Sequence, residues 1–156
     1  MSNRLLQYTI FCALALALGI AVVWLPEQLK PQTAGNQLFL TDTNCSIKHS
    51  DCSATLDTRS IAVDVSPREI RSAVPLTFSV TLNGINANAV NLSLEGQDMY
   101  MGLNQISLTP VANQPGLWSG VTELAICTTG EMSWRARVVA QQDQQQFEAH
   151  FDFTAK

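Results

Sequence analysis

Sulfur is the donor chemistry this sequence offers in concentrated form. Three of its four methionines fall in two short stretches, Asp98-Met99-Tyr100-Met101-Gly102 and Cys127-Thr128-Thr129-Gly130-Glu131-Met132-Ser133-Trp134. Thioether and thiolate sulfurs are soft ligands that prefer Cu(I) to hard cations. In an extended segment Met99 and Met101 share one face, because side chains alternate along a strand. Met99, Met101, Cys127 and Met132 are therefore a candidate cuprous ligand set. Against it stands the ordinary role of methionine as a filler of irregular core gaps, and Met132 continues the inward alternation of Trp134 and Ala136.

The cysteines pose a second question. Cys12 lies in an apolar block and reads as a small apolar residue. Cys45, Cys52 and Cys127 lie beyond that block. In an oxidising compartment two of them are expected to pair. Cys45 and Cys52, seven apart, are the expected pair and would close a short ring; Cys127 pairing with either is the alternative, and sequence alone does not fix connectivity. Three cysteines leave one sulfur over in any case, buried, oxidised or given a task such as holding a soft metal. His49 sits between Cys45 and Cys52, so reduced thiols there would make Cys45, His49 and Cys52 an alternative ligand set. His150 falls on an outward position and reads as solvated.

Other chemistries find little footing. The sequence has no nucleophile elbow, no glycine-rich phosphate loop and no Cys-x-x-Cys, so an enzyme is not expected. Net charge is −4 and no Lys/Arg cluster is present, which argues against a nucleic-acid partner. Arg135 and Arg137 project to one outer face, either to meet an anionic partner or simply to stay solvated.

The elements that must position the sulfurs follow from hydropathy. Leu5–Leu25 carries no charge, and its 21 residues are long enough to span a bilayer core as a helix. Tyr8 and Trp24 stand near its ends, as interfacial aromatics do. The exit, VVWLPEQ, lacks a small-residue cleavage site, which favours an uncleaved anchor over a signal peptide. Arg4 favours a cytoplasmic N-terminus. Residues 1–25 are thus read as one transmembrane anchor, 26–59 as a tether and cysteine-containing lead-in loop, and 60–156 as a periplasmic domain. From Ser60 onward period-two alternation dominates, with Ile61/Val63/Val65, Leu76/Phe78/Val80/Leu82, Val90/Leu92/Leu94, Ile106/Leu108, Met132/Trp134/Ala136/Val138 and Phe147/Ala149/Phe151/Phe153 facing inward, and a further run over Leu117–Leu124 that carries Trp118. Turn signals such as Ser66-Pro67, Asn83-Gly84 and Pro115-Gly116 separate the runs. The expected fold is an all-β, antiparallel, immunoglobulin-like or cupredoxin-like sandwich of about seven strands.

Val90–Val139 resembles the periplasmic domains of FixH and YtkA-like proteins. The likeness rests on Asp98-Met99-Tyr100-Met101-Gly102, on Pro115-Gly116-Leu117-Trp118-Ser119-Gly120, on Leu124-Ala125-Ile126-Cys127 and on Gly130-Glu131-Met132-Ser133-Trp134-Arg135-Ala136. It covers about a third of the chain, and Cys45, Cys52 and Cys127 lie outside the family's common pattern. The resemblance implies a membrane-anchored sandwich that handles copper or assists cytochrome oxidase assembly, with an inner-membrane oxidase or other inner-membrane complex as partner. The alternative is a non-catalytic interaction module whose sulfurs are core and staple. A thiol–disulfide carrier is a third reading, disfavoured because nothing visibly depresses a cysteine pKa.

Overall fold

The computed structural model describes Arg4, Gln7, Tyr8, Ala13, Leu14, Gly19 and residues 36–41, 45–126 and 130–156. Contacts divide the chain into two units, Met1–Thr33 and Ala34–Lys156. In the first unit, Arg4, Gln7, Tyr8, Ala13, Leu14 and Gly19 have helical backbone. Among the described residues no helix is long and apolar enough to cross a membrane. The transmembrane helix expected over Leu5–Leu25 is corrected accordingly; the rest of that stretch lies outside the described residues.

Among its described residues the second unit has nine strands: β1 (Asn36–Thr41), β2 (Cys52–Leu56), β3 (Arg59–Ser66), β4 (Leu76–Asn83), β5 (Ala89–Gly96), β6 (Asn104–Pro110), β7 (Leu117–Thr122), β8 (Met132–Gln142) and β9 (Gln145–Ala155). They close into a barrel in the order β1-β2-β3-β4-β7-β6-β5-β8-β9. This overturns the expectation of a seven-strand sandwich. The inward alternation was read correctly, but period two is common to sandwiches and barrels and does not tell them apart. Closure depends on two strands that each change neighbours along their length. Strand β1 pairs in parallel with β9 through Asn36–Phe39, then antiparallel with β2 through Leu40 and Thr41. Strand β6 pairs with β5 over Asn104–Leu108, then with β7 at Thr109 and Pro110. The second change needs Gly120, which stands opposite Phe78 on β4. A Cβ there would lie 2.7 Å from Leu108 Cδ2 and 3.0 Å from Ile106 Cδ1, so its absence admits the β6 side chains.

The alternating apolar residues fill the interior. Ile61, Val63, Phe78, Val80, Leu92, Trp134, Ala136, Val138, Phe147 and Phe151 are fully buried. The two strands that sequence reading assigned to the tether and lead-in add to the same core: Phe39 of β1 and Cys52 and Ala54 of β2 are buried with them. Phe39 meets Phe147 edge to face, with ring centroids 6.0 Å apart. Two-residue turns at Asp57-Thr58 and Asp143-Gln144 close the β2–β3 and β8–β9 hairpins, with positive φ at both aspartates.

Candidate functional site

The first pair of sulfurs is a staple. Cys45 and Cys52 are joined in a disulfide, with Cα atoms 5.6 Å apart. Within the ring Ile47 is fully buried, so the loop is packed onto the core at its tip as well as at Cys52. With both sulfurs consumed, a Cys45–His49–Cys52 ligand set does not exist in this state. His49 is exposed, and its Nδ1 lies 3.4 Å from Ser46 Oγ within the same turn.

The methionines behave differently. Met99 is 45% exposed in the loop after β5, Met101 is partly buried against the core, and Met132 at the start of β8 is buried. Met101 and Met132 meet at Gly96, the last residue of β5. A Cβ on Gly96 would lie 2.7 Å from Met132 Cε, 2.9 Å from Met101 Cγ and 2.5 Å from the Met99 carbonyl oxygen. Each thioether sulfur is bonded to the atom named, so both sulfurs border the space a side chain at position 96 would fill. Gly96 is paired directly with Trp134 on β8. Directly opposed residues in an antiparallel pair share a face. The two thioethers therefore enter on the side of the sheet that holds the buried indole. Trp134 is 1% exposed, and its Nε1 makes no hydrogen bond among the described residues.

The loop above this niche is held from two sides. Asp98 Oδ2 accepts a hydrogen bond from the Ser133 N–H at 2.7 Å, tying the loop to β8. Asn104 donates from Nδ2 to the Glu123 carbonyl at 2.6 Å and accepts from the Thr122 hydroxyl at 3.0 Å, tying its other end to β7. Between those ties a surface pocket of about 310 Å³ is walled by Leu94, Gly96, Tyr100, Met101 and Leu103, with Glu95 at its edge. Among the described residues no group of three or more His, Cys, Asp or Glu side chains is arranged to hold a metal. Among the described residues, the soft donors at this niche are the Met101 and Met132 thioethers.

Of the sequence-derived ligand set, the structure brings Met101 and Met132 together and leaves Met99 beside them, partly in solvent. Cys127 lies outside the described residues. Sequence reasoning missed Gly96 as the floor of the niche. The available signal was a glycine at the end of a strand three residues before Met99, the kind of position where a close approach is common.

The outer face of β8 and β9 answers the question raised by its arginines. Arg135 donates from Nε and Nη2 to both carboxylate oxygens of Asp152, at 2.7 and 2.9 Å. Arg137 grips Glu148 in the same two-pronged way, at 2.6 and 2.9 Å. His150 Nε2 lies 2.7 Å from Glu148 Oε1. Hydrogen bonding from Arg137, more than the opposing effect of burial, holds the Glu148 carboxyl down at about 2. Asp152 is lowered for the same reason by Arg135. Both guanidiniums are thus committed to carboxylates of the same sheet rather than offered to an anionic partner.

No family model and no curated protein sequence matches the chain. The likeness of Val90–Val139 to FixH and YtkA-like domains thus rests on its motif residues alone.

Proposed function

We propose that the barrel is a non-catalytic accessory domain of an oxidising, periplasm-like compartment, and that it carries Cu(I) on the Met101 and Met132 thioethers for delivery to a copper enzyme such as a membrane oxidase under assembly. One observation carries this reading: two methionine side chains, Met101 of the loop after β5 and Met132 of β8, converge on a glycine whose missing Cβ leaves room for them, and the same loop holds a third methionine, Met99, partly in solvent. Soft sulfur selects Cu(I), and a niche at a barrel end with an exposed third thioether suits stepwise ligand exchange with a recipient. The Cys45–Cys52 disulfide supports the compartment, since such bonds persist where thiols are not kept reduced. The likeness to FixH and YtkA-like domains supports the same reading at the Met99/Met101 turn.

The test is Cu(I) competition between the full chain and bicinchoninate. The chain is expected to withdraw Cu(I) at micromolar protein. Met101→Leu and Met132→Leu, which conserve volume, are expected to weaken binding by about tenfold or more, about 1.4 kcal/mol each. Cys127→Ser reports whether that thiolate joins the set. Absence of competition, or affinity indifferent to both methionines, refutes the proposal.

A second reading, an interaction module without metal, is favoured by Tyr100 and Leu103, which are 87% and 84% exposed in the same loop.

A further inference from the structure

Large apolar side chains exposed on the barrel unit are not scattered evenly. Among its described residues, Leu38 and Leu40 stand on β1, and the other five, Met99, Tyr100, Leu103, Val121 and Ile126, belong to the loop after β5 and to β7 and its exit. The Asn104 hydrogen bonds to Thr122 and to the Glu123 carbonyl hold these two segments side by side. Tyr100 and Leu103 do more than protrude. Together with Met101 and Leu94 they wall the pocket of about 310 Å³, a concavity at the small end of what binding sites use. Exposed aromatic and aliphatic side chains around a pocket are what hot spots are made of, and isolated surface leucines are not.

The charge around this pocket is predominantly negative. Residues 93–104 contain Glu95 and Asp98 and no Lys, Arg or His, and Glu123 follows in the neighbouring segment. The cations beside the pocket on β8 are Arg135, across from Glu95, and Arg137, across from Ser93; Asp152 and Glu148 already engage them through two hydrogen bonds each. An apolar pocket with Glu95 in its lining and Asp98 and Glu123 in the adjoining segments disfavours an anionic surface and favours a partner that supplies cations beside its apolar anchor.

We infer that the pocket between Tyr100 and Leu103 docks a basic, apolar segment of a partner polypeptide, one apolar side chain entering the pocket and flanking Lys or Arg residues facing Glu95, Asp98 and Glu123. This inference is independent of the metal reading, since neither the pocket nor its charge requires copper. It names the surface through which either an accessory carrier or a metal-free interaction module would engage its client.

The experiment uses the full chain in excess chelator, so that metal plays no part. A short fluorescent peptide of leucine and lysine is titrated and its anisotropy followed, alongside a leucine and glutamate peptide of the same length and phosphatidylcholine vesicles. The basic peptide is expected to bind at micromolar protein, the acidic peptide and the vesicles to bind at least about tenfold more weakly, and added salt to weaken the basic peptide. Leu103→Ser and Tyr100→Ala each are expected to reduce its affinity by about tenfold, and the Glu95→Gln/Glu123→Gln pair to flatten the salt dependence. Both wall residues are largely solvent-exposed, so these variants keep the core intact, which an unchanged thermal midpoint verifies. Equal binding of the two peptides, preference for vesicles, or affinity indifferent to Tyr100 and Leu103 overturns the inference. Copper competition on the same variants separates this outcome from failure of the metal reading.

Discussion

Gly96 is the residue on which the sulfur niche depends, because any Cβ there meets Met132 Cε, Met101 Cγ and the Met99 carbonyl at once. Two of these three neighbours are flexible side-chain atoms and one is backbone, so the loop as well as the thioethers must give way. Gly96→Ala is expected to cost about 1–3 kcal/mol in urea denaturation, the range for overpacking, and to weaken Cu(I) binding in the same protein. A variant with unchanged stability and unchanged copper affinity would mean the niche is loose. Glu148 sets a second expectation at this scale. It is 13% exposed, and its folded pKa of about 2 lies below the ordinary 4.5, mainly through its two hydrogen bonds from Arg137. A depressed carboxylate pKa favours the folded state fully above about pH 4.5, and that contribution is lost as pH falls towards 2. Denaturation midpoints collected across this window should fall with pH in the wild type and fall less steeply in Glu148→Gln. Asp152 adds a shift of the same direction, so the variant retains part of the slope.

At the scale of elements, the strands of the barrel were legible wherever apolar and polar residues alternate over several pairs. Ile61/Val63/Val65 and Phe147/Ala149/Phe151/Phe153 are buried as the alternation requires. Strands β1 and β2 were not legible, for reasons their residues make plain. In β1 the alternation is inverted in hydropathy, with Leu38 and Leu40 outside at 52% and 74% exposure and Phe39 inside. In β2 the inward positions are Cys52 and Ala54, small residues that weigh little in any hydropathy pattern. Both strands gain their place from partners far along the chain, β1 from β9 above all. Phe39→Ala should therefore cost about 3–5 kcal/mol, as for a core phenylalanine, where a tether residue would cost almost nothing. The Cys45–Cys52 ring belongs to this scale too. Cys45→Ser is expected to destabilise the domain by about 2–3 kcal/mol, following the loop-closure entropy of a short ring. Reduction of the wild-type disulfide should reproduce most of that loss in a denaturation curve.

For the whole molecule, closure was the feature that sequence could not supply. Alternation tells which face of each strand is wet, and nothing in it says that β1 and β6 change neighbours to join the two halves of the ladder. The candidate site divides in the same way. The chemical identity of its donors was visible in the Met-x-Met loop, while the meeting of Met101 with Met132 required the β5–β8 register that sets Gly96 opposite Trp134. On the proposed reading, the barrel is a scaffold that carries the Met101/Met132 niche and the pocket beside it at one loop cluster. Copper K-edge absorption of the Cu(I)-loaded full chain tests that account most directly. It predicts a sulfur shell at about 2.3 Å that loses amplitude in Met101→Leu and again in Met132→Leu. A first shell of nitrogen and oxygen only, or a sulfur shell unchanged in both variants, would contradict it.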